Sequence, residues 1–232
     1  MKSAARIDAD RLAGSLWRRG YAELPALLTA TECRRTARLY DEGALFRKRV
    51  DMAPLRFGEG EYQYFRYPLP PLVETLRQGF YPLLAPIANA WMEALGQERR
   101  YPATLAAFLD NCHRAGQERP TPLLLRYAAG GYNALHQDLY GAVAFPFQMA
   151  VFLSAPERDY TGGEFLLVEQ RPRAQSVGHV IRPVQGDAVV FTTNLRPAKG
   201  ARGFHRVRVR HGVGEVRSGS RVTLGIIFHD AR

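Results

Sequence analysis

From residue 121 to the end of the chain, short β-prone runs alternate with turn-forming residues, and this alternation constrains the fold more than any other feature. Seven or eight runs follow one another at intervals of roughly ten residues. The first is PLLLRYA (122–128) and the last is RVTLGIIFHD (221–230), with turns such as Ala-Gly-Gly and Ser-Gly-Ser between runs. Such spacing predicts a β-sandwich or barrel rather than βαβ units.

The region before residue 121 has mostly helical periodicity. Residues 8–19 place Leu12, Leu16 and Trp17 on one helical face, and Gly20 is a plausible stop. Further helices are predicted from Thr29 or Thr31 to Gly43, over 72–96 with a break or kink near Pro82 and Pro86, and over 103–115. Short strands are predicted within 45–66. We expect a mainly β, α+β chain, in which a helix-rich region (1–120) packs on a β core (121–232) as one integrated domain.

Composition sets the broad class of the protein. Of the 232 residues, 46% are hydrophobic and 23% are charged, which is ordinary for a globular protein. No run approaches the roughly 18 apolar residues of a membrane helix, and the first fourteen residues lack the apolar core of a secretory signal. Cys33 and Cys112 are far apart and form no metal-binding spacing. These features predict a cytoplasmic protein with reduced thiols and no membrane partner.

The net charge of +10 favours a polyanionic partner, which can be nucleic acid, anionic lipid or an acidic protein. The basic residues concentrate near the chain's end. Arg206, Arg208 and Arg210 alternate, so they share one face of a strand, and Arg171 and Arg173 lie in an earlier loop. Phosphate contacts and a solvated face that only maintains solubility are equally good interpretations of this basic face. No dedicated nucleic-acid-binding motif is present.

The chemistry-bearing motif is His136-Gln137-Asp138. In a strand, residues i and i+2 point to the same side, so an imidazole and a carboxylate can reach one point. His211 lies 73 residues further on, in another predicted strand. Two histidines and one carboxylate form the facial triad that binds non-haem Fe(II) and leaves coordination positions open.

Arg221 follows His211 by ten residues and precedes Thr223 in an apolar strand. A hairpin around Gly214–Gly219 is predicted to return Arg221 to the metal, where its planar fork suits a carboxylate. His205 is the rival for the distal ligand position. The two histidines have the same facing in a regular strand, so only the spacing to Arg221 favours His211. We predict surface positions for His113 and His179, and a polar chain-end pair for His229 and Asp230.

Four segments in order resemble the prolyl-hydroxylase-like 2-oxoglutarate oxygenases: LRYAAGGYNALHQD, FQMAVFLSAPERDYTGGEF, QGDAVVF and HGVGEVRSGSRVTLGIIF. The stretch from about 122 to 230 is most similar to a bacterial group of these enzymes proposed to modify nucleic acid. The resemblance implies a double-stranded β-helix (jelly roll) with helices packed against one sheet. It also implies Fe(II), 2-oxoglutarate and O2 as cofactors, with ascorbate as an auxiliary reductant.

By the same resemblance, Arg221, Thr223 and Tyr127 bind the cosubstrate carboxylate, and Gln148 faces the cosubstrate. The implied reaction hydroxylates or oxidatively demethylates a substrate, with release of succinate and CO2. Three functions compete: an oxygenase acting on nucleic acid, an oxygenase acting on a protein side chain such as proline, and a cupin-like metal-binding or ligand-binding barrel. Arg221-x-Thr223 argues against the last, because a plain metal-binding barrel has no need of it. The oligomeric state is left open.

Overall fold

The structure is a computed structural model that describes residues 7–138, 141–201 and 203–232. The helices are α1 (Ala9–Arg19), α2 (Ala30–Arg38), α3 (Pro71–Ala94) and α4 (Leu105–Arg114). The strands are β1 (Tyr21–Leu24), β2 (Phe46–Asp51), β3 (Gly58–Glu59), β4 (Glu61–Phe65), β5 (Leu123–Ala128), β6 (Tyr132–His136), β7 (Phe147–Phe152), β8 (Tyr160–Gly162), β9 (Phe165–Gln170), β10 (Val177–Ile181), β11 (Ala188–Thr192), β12 (Leu195–Gly200), β13 (Gly203–Val213) and β14 (Val216–Ile227).

The first two helices begin at side-chain caps. The Asp8 carboxylate accepts from the backbone N–H of Arg11, and α1 ends at Gly20 in the left-handed conformation, as predicted. Of the two threonines considered for α2, Thr29 is the cap, and it forms a reciprocal capping box with Glu32. The predicted end at Gly43 is wrong, because α2 stops at Arg38 and two 3₁₀ turns follow.

Of the predicted break or kink in α3, the break is wrong, since the helix runs through Pro82 and Pro86 without interruption. The two prolines are four residues apart and both are exposed. The carbonyl groups that lose their helical hydrogen bonds therefore lie toward water, which can replace the bonds. The opposite side of the helix is buried and packs on the protein, as the T-shaped contact of Trp91 with Phe147 shows.

All fourteen of the strands in the described residues belong to two antiparallel sheets. The major sheet has the order β1-β11-β7-β14-β5-β4-β2, with β8 paired to β14. The minor sheet has the order β10-β9-β13-β6-β3, with β12 paired to β13. The region before residue 121 thus contributes strands to both sheets, and pairing of β4 with β5 crosses the expected boundary at 120/121.

Two hydrophobic clusters determine where a cavity can form. The larger lies between the helices and the outer face of the major sheet, and includes Met149 and Ile226. The smaller lies between the two sheets, where Phe152, Phe165 and Val209 meet. The smaller cluster fills one end of the space between the sheets, and the other end remains open as a cavity lined from both sheets.

The predicted hairpin between His211 and Arg221 is wrong. In the described part of the chain, β13 pairs only with strands of the minor sheet, and β14 pairs with β5, β7 and β8. The chain therefore crosses from one sheet to the other between Val213 and Val216. As a result, His211 and Arg221 approach the cavity from facing sheets rather than from neighbouring strands.

The C-terminal end of the chain is anchored by a buried ionic network. The Arg77 guanidinium donates to Asp230 at 2.7 Å, and both side chains are almost completely buried. Tyr67 and His113 also contact Asp230, at 3.0 Å each. The predicted polar pair at the chain end, His229 and Asp230, is buried. His113 is exposed, as predicted, although its ring contacts Asp230.

None of the described helices is long and apolar enough to cross a membrane. The two cysteines are free and buried.

Candidate metal and cosubstrate site

Three predicted metal ligands come together at the cavity. His136 ends β6, Asp138 follows two residues later, and His211 on β13 is the direct cross-strand partner of His136. The Nε2 atoms of His136 and His211 lie 3.6 and 3.4 Å from the Asp138 carboxylate oxygens. One ligand atom from each residue falls within 4.8 Å of the other two. The three side chains can therefore bind one ion together.

The hydrogen bonding of His136 defines its tautomer. Its Nδ1 lies 2.7 Å from the Ala134 carbonyl oxygen, which can only accept, so Nδ1 carries the proton. The lone pair is consequently on Nε2, the nitrogen that points toward Asp138 and His211. Metal-binding histidines commonly donate their other ring N–H to a carbonyl in this way. Burial and the neighbouring His211 lower the pKa of His136, which favours the neutral form that a metal requires.

Asp138 is held as a carboxylate. Burial alone raises its pKa, but hydrogen bonding to His211, the two neighbouring imidazoles and the Gln148 amide together lower that pKa below its usual value. Gln148 Nε2 donates to Asp138 Oδ2 at 2.9 Å. Gln148 therefore lines the cavity as expected, but the group that it contacts is the carboxylate of the triad.

Gln137, between the two ligands, fixes the loop that carries them. Its amide donates to the Asn194 side chain at 2.8 Å and to the Val209 carbonyl at 3.0 Å. These contacts connect the turn after β6 to β13 and to the residue before β12. Sequence reasoning missed this role because Asn194 is 57 residues away and has no motif of its own.

Arg221 is a buried cation on the opposite wall. It is 2% exposed, and its Nη1 donates to the Thr223 hydroxyl at 2.9 Å. Its Nε is buried without a hydrogen-bond partner, and no carboxylate among the described residues forms an ion pair with it. Burial lowers the pKa of the guanidinium, partly offset by Tyr127 and Tyr160. A buried arginine with unused donors is a ready partner for an anionic ligand.

Tyr127 is the cross-strand partner of Arg221 on β5 and is completely buried. Burial raises the pKa of Tyr127 to about 12, so its hydroxyl is protonated near neutral pH. The hydroxyl accepts a hydrogen bond from the Asn133 amide at 3.2 Å, which leaves its own proton available. The guanidinium carbon of Arg221 lies 5.6 Å from the centre of the Tyr127 ring.

Small residues leave space between the triad and Arg221. The cavity has a volume of about 390 Å³ and is lined by all three triad residues and by Arg221. Thr223, Gly225 and Ala150 form part of its major-sheet wall. Gly163 leaves room for the Arg221 side chain beside the cavity, because a Cβ atom at this position would lie 2.9 Å from the Cδ of Arg221. This glycine belongs to the Gly-Gly-Glu motif that the sequence displays.

The residues present fit both groups that the sequence predicts. Two imidazoles and a carboxylate on one side of the cavity form a facial ligand set for a first-row metal such as Fe(II). The unpaired guanidinium on the facing sheet fits the distal carboxylate of a dicarboxylic keto acid. His205 does not take part, since it is exposed on β13 opposite Ala198 and outside the cavity.

The arginines of the predicted basic face are exposed to solvent. Arg206, Arg208 and Arg210 are exposed, whereas the alternating Val207, Val209 and His211 are buried. Arg171 and Arg173 are exposed in the loop after β9. Arg196, which belongs to the same basic stretch of sequence, is different: it is 3% exposed and forms a buried ion pair with Glu169 at 2.7 Å.

Comparison with known proteins places this geometry in context. The profile of one protein family, described as an oxygenase catalysing oxidative methylation of damaged DNA, matches residues 60–231. The uncharacterized protein Rv2227 of Mycobacterium tuberculosis (strain ATCC 25618 / H37Rv) is 53% identical over 167 residues, which cover 72% of this chain and 72% of that protein.

Solved structures share the fold at low sequence identity. A prolyl-4-hydroxylase from Pseudomonas putida superimposes with a TM-score of 0.57 at 15% identity, and the match covers 97% of this chain and 100% of that one. An oxidoreductase of the 2OG-Fe(II) oxygenase family from Burkholderia pseudomallei gives a TM-score of 0.56 at 16% identity, with 97% and 93% coverage.

Proposed function

Because the chain belongs to this oxygenase family and is a 2-oxoglutarate- and Fe(II)-dependent dioxygenase, we propose that His136, Asp138 and His211 hold its iron. The predicted family, enzyme class and principal cofactors are thereby confirmed, whereas ascorbate as a reductant stays a prediction. The assignment of the three ligands is supported by their mutual distances and by the Nδ1–H donation of His136 to Ala134. Both features leave an Nε2 lone pair and a carboxylate oxygen directed at one point.

Arg221, Thr223 and Tyr127 bind the distal carboxylate of 2-oxoglutarate. The observation that carries this proposal is the buried, acid-free guanidinium of Arg221, which faces the triad from the other sheet. The unused Nε donor of Arg221, with the protonated hydroxyl of Tyr127 beside it, suits a carboxylate in a dry cavity. Thr223 fixes the guanidinium through its bond to Nη1.

Gln148 positions Asp138 rather than binding the cosubstrate. Its amide occupies one lone-pair direction of Oδ2, so the carboxylate is held with Oδ1 turned toward His136. A carboxylate fixed in this way loses less conformational entropy when it binds a metal. The double-stranded β-helix, with its two facing sheets and its helices on the major sheet, supplies the rigid frame for these contacts.

When bound, Fe(II) supplies with 2-oxoglutarate and O2 the oxidising chemistry that hydroxylates or demethylates a substrate and releases succinate and CO2. The chain's own contribution is positioning and exclusion of water. The apolar side chains of Leu123, Leu125 and Ala150 line the cavity between the ligand set and Arg221. Competing reactions with water are suppressed in such a site.

The primary substrate is a nucleic acid. The matched family is described as acting on damaged DNA, and the chain carries a net charge of +10. Arg206, Arg208 and Arg210 form an exposed row, with Arg171 and Arg173 nearby in the next loop. Sequence-independent contacts with phosphate groups are the chemistry that such a face provides. We place the protein in the cytoplasm, in keeping with its free cysteines.

Turnover of 2-oxoglutarate tests the enzymatic part of this proposal. The full chain, supplied with Fe(II) and O2, is expected to form succinate, and oligonucleotides that carry methylated bases are expected to accelerate the reaction. The variant His136→Ala should abolish turnover, and the matched variant His205→Ala should retain it. Turnover in His136→Ala at the wild-type rate would contradict the ligand assignment. Lack of acceleration by any methylated DNA or RNA would contradict the substrate class.

A further inference from the structure

Four exposed apolar side chains lie on the two chain segments that carry Phe57 and Leu135 to the edge of the cavity. Leu55, Phe57, Tyr132 and Leu135 are each between 41% and 50% exposed. They lie on two segments that are bonded together, since the N–H of Ala134 donates to the Phe57 carbonyl at 2.8 Å and β3 pairs with β6. Phe57 and Leu135 also line the cavity. We call these four residues the apolar rim.

The apolar rim adjoins the outer face of the minor sheet at Gly212. Pairing of β13 with β9 is regular from Arg208 to Val213, so Gly212 has the same facing as Arg210 and Arg208. A Cβ atom at Gly212 would lie 3.3 Å from the Leu135 side chain. Leu135 therefore sits at the junction where the arginine-bearing face meets the cavity mouth.

The arginines form a row that leads to this junction. Alternate residues of a strand are roughly 6.6 Å apart, so Arg206, Arg208 and Arg210 approach Gly212 in equal steps over about 20 Å. In the described part of the chain, none of the three forms an ion pair. The cross-strand partners of Arg208 and Arg210 on β9 are the uncharged Gln170 and Val168. The row is thus an uncompensated positive track that ends at an apolar opening.

We propose that the arginine row and the apolar rim together bind an unpaired stretch of a nucleic-acid strand, with the reacting nucleotide inserted into the cavity. This inference rests on the proposed function, because it requires a nucleic-acid substrate for the same site. The arginines contact the phosphates, and Phe57 and Tyr132 stack with bases that flank the inserted one. Basic tracks combined with aromatic platforms are the usual means of binding single strands.

The position of the ligand set within the cavity explains why the strand must be unpaired. The His211 and Asp138 side chains are 8% and 14% exposed, that of His136 is 32% exposed, and all three line the same cavity as Phe57 and Leu135. An atom of a base that remains stacked within a duplex cannot reach such a position, so the nucleotide must leave the stack or be single-stranded already. The apolar rim offers the bases on either side of the inserted nucleotide an apolar surface, which replaces part of the stacking that they lose.

Fluorescence anisotropy with labelled oligonucleotides tests the inference. We expect the full-length wild type to bind a single-stranded DNA oligomer at least tenfold more tightly than a blunt duplex of the same length. Phe57→Ala should weaken single-strand binding by about tenfold, as expected for the loss of one base–aromatic stack. The matched variant Val184→Ala, at an exposed apolar residue outside the rim, should bind like wild type.

The charge contribution is tested in the same assay. The double variant Arg208→Gln/Arg210→Gln should weaken binding and reduce the slope of log K against log salt by about two, one for each lost phosphate contact. Arg35→Gln/Arg38→Gln removes equal charge from exposed positions of α2, on the far side of the molecule, and should leave the slope unchanged. Melting curves of each variant check that the fold is intact.

Two outcomes overturn the inference, and they differ in what they say of the proposed function. If the wild type binds duplex and single strand equally, or if Phe57→Ala binds like Val184→Ala, the rim does not hold an unpaired strand, while a nucleic-acid substrate stands. If the wild type binds neither oligonucleotide at low salt, the nucleic-acid substrate fails and the inference fails with it.

Discussion

His136 and His211 face each other as direct partners on neighbouring antiparallel strands, with ring centroids 4.2 Å apart. Direct pairing of two strands fixes the separation of their side chains more firmly than loops can. Asp138 then completes the set from a loop that Gln137 anchors. The proposed ligand set is consequently preformed by strand pairing and by an anchored loop.

The preformed site predicts a clear difference between histidines. His136→Ala should lower the affinity for Mn(II) or Co(II) beyond detection, because two remaining ligands do not define a facial site. His205→Ala, an equal change at an exposed position on the same strand as His211, should bind like wild type. Isothermal titration calorimetry measures both, and metal affinity that falls in His205→Ala would contradict the assignment.

Arg221 should show opposite effects on binding and on stability. Arg221→Met is expected to weaken 2-oxoglutarate binding by about 100-fold, since a charge-assisted, bidentate pair is lost. The same change should raise the free energy of unfolding of the ligand-free protein by about 1 kcal/mol, because an unpaired buried cation is replaced by an apolar side chain. Urea denaturation measures the second effect. Marked destabilisation would mean that Arg221 serves the fold rather than a ligand.

Gln148 should act on the metal through Asp138. Gln148→Leu removes the amide that donates to Oδ2, and we expect metal affinity to fall by about 10- to 100-fold. Gln148→Glu should be worse still, since a second carboxylate repels Asp138. Competition with a fluorescent chelator gives the affinities. If metal affinity is unchanged and only 2-oxoglutarate binding falls, the original sequence prediction of cosubstrate contact is correct.

Asp230 should be essential for stability although it is remote from the cavity. Asp230→Ala leaves the guanidinium of Arg77 buried without its counter-ion, which costs about 3–5 kcal/mol. Asp41→Ala is the surface control, because Asp41 is exposed and its contact with Arg126 contributes at most about 1 kcal/mol. Equilibrium unfolding in urea compares them, and equal losses for the two variants would contradict a special role for the network.

His229 should make stability depend on pH. Burial and the nearby charge of Arg77 lower the pKa of His229 to about 4, against about 6.5 in the unfolded chain. The unfolded state therefore binds the proton first, so the contribution of His229 is complete above pH 6.5 and decreases as pH falls toward 4. The free energy of unfolding that His229 contributes falls by about 2 kcal/mol between pH 7 and pH 5. The unfolding free energy of His229→Gln should depend less on pH over this range, and an unchanged dependence would contradict the assignment.

Local rules predicted the parts of the site that share a strand or a turn. Strand alternation predicted that His136 and Asp138 reach one point; they do, although β6 ends at His136 and Asp138 lies in the loop that follows. The exposure of Arg206, Arg208 and Arg210 follows from the burial of His211 on the same strand. The cap at Thr29 is likewise local. The ten-residue spacing from His211 to Arg221 favoured His211 over His205, and the structure places His211 beside His136 and Asp138, although the hairpin invoked for it does not exist.

Contacts between distant segments could not be predicted. A glycine-containing turn is compatible both with a hairpin and with a crossing between sheets. Only the packing of the two sheets determines that the turn at Gly214 is a crossing. Arg196 and Asp230 carry no sequence signal of burial, because their partners, Glu169 and Arg77, are 27 and 153 residues away. The prolines of α3 are harmless only because both face water, which depends on the register of the helix against the major sheet.

The central claim is that metal ligands on one sheet and Arg221 on the other bind the same cosubstrate in one cavity. The most direct test measures binding of 2-oxoglutarate to the Mn(II)-loaded protein in the absence of O2. Calorimetry should show one equivalent of 2-oxoglutarate bound when Mn(II) is present, much weaker binding without Mn(II), and loss of binding in both Asp138→Ala and Arg221→Met. Binding of 2-oxoglutarate that is indifferent to Mn(II), or that persists in Arg221→Met, would contradict the account.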